Sequence, residues 1–151
     1  MISRIYTARG YLMSNTTEQQ RRSQNMSRIR SKDTKPEMIV RKFLFGQGFR
    51  FRLHDSRLPG KPDLVLPKYK AVIQIQGCFW HAHRGCKLNR PPKSRIEYWG
   101  PKIEGNVKRD RRNADLLLTL GWRVIEVWEC SLSAANRAET LSSLCSSLRG
   151  S

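Results

Sequence analysis

The sequence predicts a single α/β domain, a sandwich built on a mixed β-sheet, and three observations carry that prediction. Runs with strand composition at residues 63–66, 71–75 and 122–129 alternate with segments of helical spacing. Their order is helix, strand, strand, strand, helix, strand, helix, which calls for helices packed against a sheet. The chain has 151 residues, enough for one domain with a real core and too few for two comfortable ones. Strand order within the sheet cannot be read from periodicity.

Taken in order, residues 1–16 match no element and are expected to be a disordered extension, with Met13 a candidate start. Residues 17–35 form a polar, basic arm carrying Arg21, Arg22, Arg28, Arg30 and Lys32, a composition suited to ordering on a phosphate backbone. Asp33 or Thr34 ahead of Pro36 opens the first helix, because a side-chain oxygen caps free amides and proline suits the first turn. Met38, Ile39, Val40, Phe43 and Leu44 share its apolar face, and Gly46 to Gly48 end it. Residues 49–53 alternate apolar and basic, so a strand is expected with Phe49, Phe51 and Leu53 inward.

After a turn at Pro59 to Pro62, a second strand begins at Asp63, and residues 71–75 make a third, more central one. Pro91 and Pro92 close the following loop, residues 94–99 read as a short helix, and a longer helix is expected over residues 102–120. Ile103, Val107, Asp110, Ala114, Leu117 and Leu118 form its inner stripe, and Gly121 stops it. WRVIEVWE, residues 122–129, is a strand that delivers Cys130, and Trp122 and Trp128 within it read as core. Leu141, Leu144 and Leu148 mark a last amphipathic helix.

Charge narrows the class of partner. With 29 basic residues against 12 acidic, the formal net charge of +17 points to a polyanion. Nucleic acid fits better than a membrane surface, since the basic residues are interleaved with structured apolar segments. No run approaches the roughly 18 to 20 apolar residues of a membrane span, and no signal peptide is visible, so the cytoplasm is the expected compartment. With one basic domain and no heptads, the chain is expected to be a monomer.

The densest chemistry lies at residues 77–86, which hold Cys78, His81, His83 and Cys86 around the pair Phe79 and Trp80. Such thiol and imidazole spacing suits a metal in a reduced compartment better than a disulfide framework. Cys130 can complete a tetrahedral S₃N zinc site, with either His83 or His81 as the fourth ligand. A second constellation is Pro62-Asp63 followed by the strand ending Gln74-Ile75-Gln76. PD-(D/E)XK nucleases place an acid and a second oxygen ligand on adjacent strands in this way to hold Mg²⁺. Gln74-Ile75-Gln76 supplies neither the acid nor the lysine of that pattern. A third is aromatic: Phe79 and Trp80, with Tyr98 and Trp99 farther on, are rings able to wedge between base pairs, although Tyr98 suits a core as well.

These residues together resemble the very short patch repair (Vsr) DNA mismatch endonucleases. The likeness rests on LPGKPD at residues 58–63, GCFWH at 77–81, Trp99, NVKRDRR at 106–112, LGWRV at 120–124 and VWEC at 127–130, with RSQNM at 22–26 upstream. The resemblance implies a restriction-endonuclease-like (PD-(D/E)XK-type) three-layer sandwich with a structural zinc site. It implies an enzyme that nicks duplex DNA 5′ to the thymine of a T:G mismatch, in the bacterial cytoplasm at the nucleoid, with recruitment by a mismatch-repair protein an open question. Asp63 would be the principal Mg²⁺ ligand, helped by the Ile75 carbonyl. His81 would act as general base, and Glu37 would support it or the metal-bound water. Cys78, His83, Cys86 and Cys130 would hold Zn²⁺, and Phe79, Trp80 and Trp99 would intercalate, while the basic arm clamps the DNA backbone. Gln76 departs from the pattern, standing where His or an acid is expected among the catalytic groups. The loop His83-Arg84-Gly85-Cys86 is one residue longer than in some relatives. The alternatives are a catalytically weak or silent zinc-containing DNA-binding module, for which Gln76 argues, and a restriction-type nuclease that cuts both strands.

Overall fold

The computed structural model describes residues 20–21, 28–90 and 92–150. The chain divides into two compact units, residues 1–34 and 35–151. Within the first, Arg21, Arg28, Arg30 and Lys32 are exposed. The expected extension over residues 1–16, residues 17–19 and 22–27 of the basic arm including Arg22, and Pro91 lie outside the described residues.

The second unit opens with helix α1 (Lys35–Gly46), where Pro36 sits in the first turn and its missing amide deprives the helix of nothing. Its buried residues are Glu37, Val40, Arg41 and Leu44, which helical spacing places on one face. Two of these four are charged, so the face that meets the core also carries polar groups inward. The remaining elements are β1 (Arg52–Leu53), β2 (Leu64–Leu66), a 3₁₀ turn (Pro67–Tyr69), β3 (Ala71–Gln76), α2 (Ile96–Thr119), β4 (Arg123–Trp128), a second 3₁₀ turn (Glu129–Leu132) and α3 (Arg137–Arg149).

The sheet order is β1-β2-β3-β4, antiparallel from β1 to β3 and parallel between β3 and β4. A parallel pair needs a crossover, and the chain supplies it with α2. Side-chain alternation along β3 then sorts the core into two layers. Ala71 and Ile73 pack with Val40 and Leu44 of α1 and with Leu141, Leu144 and Leu148 of α3. Val72, on the other face, packs with Val65, Leu117 of α2 and Val124. The result is the expected three-layer sandwich with a mixed central sheet. Each fully buried Leu, Ile or Val contributes about 1.5–3 kcal/mol, which makes these two layers the main source of stability.

Three local expectations are corrected. The strand over residues 49–53 shrinks to Arg52–Leu53, because β2 offers only three residues and β1 pairs with just Val65 and Leu64. Phe49 is buried but enters the core from a loop, against Tyr69, whereas Leu53 is exposed. The short helix and the long one are a single helix, Ile96–Thr119, that runs through Pro101. Pro101 lies in the second turn, so only the amide that would reach the Glu97 carbonyl is lost. Finally, Val107 and Leu118 are exposed. The inner stripe of α2 instead follows Asn106, Asp110 and Leu117, whose contacts turn toward the loop after β3 and the sheet.

The turn that precedes Asp63 is braced against α2. Gly60 has φ +73°, and a Cβ there would stand 2.7 Å from Nδ2 of Asn113. Gly60→Ala is therefore expected to lower stability by about 1–3 kcal/mol, through both left-handed strain and overlap. Adding Asn113→Ala should return the part of the overlap made by the amide group, but neither the strain nor the 3.0 Å approach of the Asn113 Cβ, as measured by denaturant unfolding of the two variants and the double variant.

Candidate active site and metal centre

Asp63 stands at the mouth of β2, in the turn just before the strand, and its Oδ2 accepts a 2.7 Å hydrogen bond from the Ile75 amide of β3. That bond fixes one carboxylate oxygen beside the end of the central strand. Burial pushes the Asp63 carboxyl up from its usual range, and the Ile75 N–H opposes that rise by favouring the charged form. Around it stand groups from α1 and the β1 end. Arg41 donates to Glu37 Oε2 at 2.8 Å and lies 2.9 Å from His54 Nε2. His54 Nδ1 is 3.7 Å from Asp63 Oδ1. Glu37 is thus placed with Arg41 and His54. Gln76 is buried at the last position of β3, opposite Trp128.

Two residues beyond Gln76 the chain turns, with the His81 amide bonded to the Gly77 carbonyl and the His83 amide to the Cys78 carbonyl. His81 Nδ1 pairs with Asp110 Oδ2 of α2. A carboxylate on Nδ1 fixes the ring's orientation and leaves Nε2 as the working nitrogen. One turn earlier on the helix, Asn106 Nδ2 donates to the Trp80 carbonyl at 3.1 Å, so α2 holds this loop at two points. Phe79, Trp80 and Trp99 form one cluster, every pair of rings meeting edge-on at 5.2–5.6 Å between centroids. All three are half-buried, and Lys102 Nζ lies 5.5 Å from the Trp99 ring.

On the other side of the loop, the Sγ atoms of Cys78, Cys86 and Cys130 and a ring nitrogen of His83 all lie within 4.8 Å of one another. His83 Nδ1 is 3.6 Å from Cys78 Sγ and 3.4 Å from Cys130 Sγ. Those separations suit the edges of a tetrahedron with metal–sulfur bonds of about 2.3 Å, and a Cys₃His donor set fits zinc. The His83 ring stacks flat on Trp128, at 4.0 Å and 7°. Glu129 Oε2 accepts from the Cys78 amide at 3.4 Å. Burial pushes the Cys78 thiol up to about 12 and also raises Cys130, while the Leu88 amide, donating to Cys86 Sγ, brings Cys86 down to about 7.

Comparisons with known proteins place the chain in a family. The family model described as DNA mismatch endonuclease Vsr matches residues 14–88. The type II nicking enzyme V.XorIIP of Xanthomonas oryzae pv. oryzae is 49% identical over 121 residues, covering 80% of this chain and 88% of that one. The chain belongs to the Vsr DNA mismatch endonuclease family. The type II nicking enzyme V.NmeAIP of Neisseria meningitidis serogroup A is 53% identical over 112 residues, 74% of this chain and 79% of its own. The DNA mismatch endonuclease Vsr of Escherichia coli K12 is 47% identical over 120 residues, 80% of this chain and 76% of its own. As a Vsr-family member the protein is a DNA endonuclease with the restriction-endonuclease-like α/β fold, and its Cys₃His cluster can hold zinc. Among the described residues, no helix is long and apolar enough to cross a membrane.

Sequence reasoning missed several residues of this site. Asp110 was visible as an acid on an otherwise apolar helical stripe, a signal that it faces something specific. His54, a lone imidazole between a strand and a turn, and Arg41, a cation on the buried face of α1, gave weaker signals. Trp128 reads as core from the strand pattern but serves as the floor under His83.

The thiol environments set a measurable proton balance. At pH 7, Cys78 and Cys130 are protonated in the metal-free protein and Cys86 is about half ionised. Binding of Zn²⁺ at that pH should release roughly two to three protons. Calorimetry in buffers of different ionisation enthalpy reads that number, and Cys130→Ala should lower it by about one.

Proposed function

We propose that this endonuclease nicks duplex DNA 5′ to the thymine of a T:G mismatch, the lesion left by deamination of 5-methylcytosine, in a Mg²⁺-dependent reaction. The observation that carries the reading is the Asp110–His81 pair, set in the turn after β3 while Asp63 is bonded to Ile75 near the same end of that strand. With Nδ1 engaged by Asp110, His81 Nε2 has the lone pair to take a proton from the attacking water. Asp63 and the Ile75 carbonyl would hold Mg²⁺, and these hard oxygen donors fit that ion. When bound, it neutralises charge gathering on the phosphate. Gln76 is neutral and takes no proton at neutral pH, so proton transfer falls to His81, and Glu37 adds negative charge to the same end of the sheet. Phe79, Trp80 and Trp99 present an edge-packed wedge whose contacts offset the few kcal/mol of unstacking a base step.

Arg21, Arg22, Arg28, Arg30 and Lys32 would neutralise backbone phosphates, and zinc held by Cys78, His83, Cys86 and Cys130 would keep the loop rigid. The enzyme would act as a monomer on the nucleoid in the cytoplasm. The test is strand-specific nicking of matched T:G and C:G duplexes with Mg²⁺ and with EDTA. Nicking of the T:G duplex in Mg²⁺ alone is expected. His81→Ala should slow it by about 10²–10⁴-fold, and Asp63→Ala should abolish it, with the fold retained. Equal nicking of both duplexes would overturn the mismatch assignment, a double-strand break would indicate a restriction-type nuclease, and salt-sensitive binding without any nick would indicate a silent DNA-binding module.

A further inference from the structure

His54 takes no part in the chemistry proposed above, yet its surroundings are unusually constrained. It sits half-buried with φ +46°, a left-handed backbone that a non-glycine residue adopts at a cost of about 1–2 kcal/mol. Its amide donates to the Asp63 carbonyl at 3.2 Å. Its ring lies between two elements: Nε2 is 2.9 Å from the Arg41 guanidinium, and Nδ1 is 3.7 Å from Asp63 Oδ1.

Two groups face Nε2, the Arg41 guanidinium at 2.9 Å and Glu37 Oε2 at 3.5 Å; an arginine donates and never accepts, so the shorter contact makes Nε2 the accepting nitrogen and puts the ring proton on Nδ1. The tautomer follows from the donors around the ring, and it sets the Nδ1–H opposite Asp63 Oδ1. Asp63 Oδ2 is already taken by the Ile75 amide. The carboxylate is therefore bounded on both sides, by a direct bond at Oδ2 and at Oδ1 by a dipole beyond hydrogen-bond length. Arg41, anchored to Glu37 through the same NH2 nitrogen, keeps the imidazole from turning over.

We propose that His54 is a positioning residue which, locked by Arg41 in its Nδ1–H tautomer, orients the Asp63 carboxylate for the divalent cation. The proposal rests on the reading of Asp63 as the Mg²⁺ ligand. Groups that orient a ligating side chain typically contribute 10–100-fold to metal affinity. His54→Asn keeps an amide donor where Nδ1 stands and tolerates the left-handed backbone. His54→Gln keeps a polar group toward Arg41 but loses that donor, and His54→Ala loses both.

The experiment titrates Mn²⁺ into the full chain by electron paramagnetic resonance, with circular dichroism to confirm folding and Asp63→Ala as reference. Binding about tenfold weaker in His54→Ala and His54→Gln is expected, with His54→Asn within about threefold of the unmodified chain. In T:G nicking the weakened variants should lose kcat at saturating DNA while KM for the duplex stays unchanged. If Asp63→Ala abolishes Mn²⁺ binding while His54→Ala binds like the unmodified chain, or while all three His54 variants weaken equally, the positioning role is overturned and the metal site stands. If Asp63→Ala binds Mn²⁺ as well as the unmodified chain, the metal reading of Asp63 fails, and this proposal fails with it.

Discussion

The parallel pairing of β3 with β4 is the constraint on which the rest of the site depends. Six residue pairs run in register from Ala71↔Arg123 to Gln76↔Trp128, so both strands end at the same edge of the sheet. Two residues past each end stands a cysteine, Cys78 after Gln76 and Cys130 after Trp128. The register thus brings together two thiols that lie 52 positions apart in sequence, and it lays Trp128 under His83. A slip of one residue would separate the thiols and turn every side chain of β4 to the opposite face.

The same strand end serves the other cluster because β3 is central. On one side it accepts β2, whose preceding turn carries Asp63, and the Ile75 amide reaches the carboxylate. Beyond its end, the turn that begins at Gly77 carries His81 toward α2. One six-residue strand therefore positions a carboxylate, an imidazole and a Cys₃His cluster, while the two hydrophobic layers on its faces keep it from shifting. Asn106 and Asp110 on α2 hold the loop after β3, and Asn113 stands close against Gly60 in the turn before Asp63, so three polar residues of that helix face the two loops that flank the site.

Much of this was legible in the sequence, for identifiable reasons. The three longer strand runs, the final helix and the three cysteines of the metal cluster were readable because their signals are local: β-branched runs, leucine spacing, and ligands grouped within nine residues plus one cysteine at a strand end, although spacing alone did not choose between His81 and His83. The errors arose where local pattern and tertiary demand diverge. Two helices were expected over residues 94–99 and 102–120, but Pro101 between them lies near the start of one helix, where it forfeits little. Phe49, Phe51 and Leu53 alternate like a strand, yet the edge partner is too short to extend the ladder. Leu118 follows Leu117 in sequence, but a helix rotates successive residues by about 100°, and only one of the two can face Val65 and Val72. Pairings such as His81 with Asp110 or His54 with Arg41 and Asp63 join elements by tertiary placement, and periodicity says nothing about those.

The two histidine–carboxylate pairs at the site are arranged in opposite senses, and that contrast makes sense of Gln76. In the proposed reaction the imidazole of His81 is the working group, and Asp110 engages its Nδ1. In the same proposal the carboxylate of Asp63 is the working group, with the Ile75 amide and His54 on either side of it. Another ionisable side chain at position 76, buried at the end of β3, would add a charge in a low-dielectric position, where charges interact strongly. A neutral amide there leaves the carboxylate's surroundings to be set by Arg41, His54 and Glu37, two of which lie on the buried face of α1. The polar groups that are unusual for a helix core thus have a physical role: they supply, from a neighbouring layer, the electrostatic control that the strand itself does not carry.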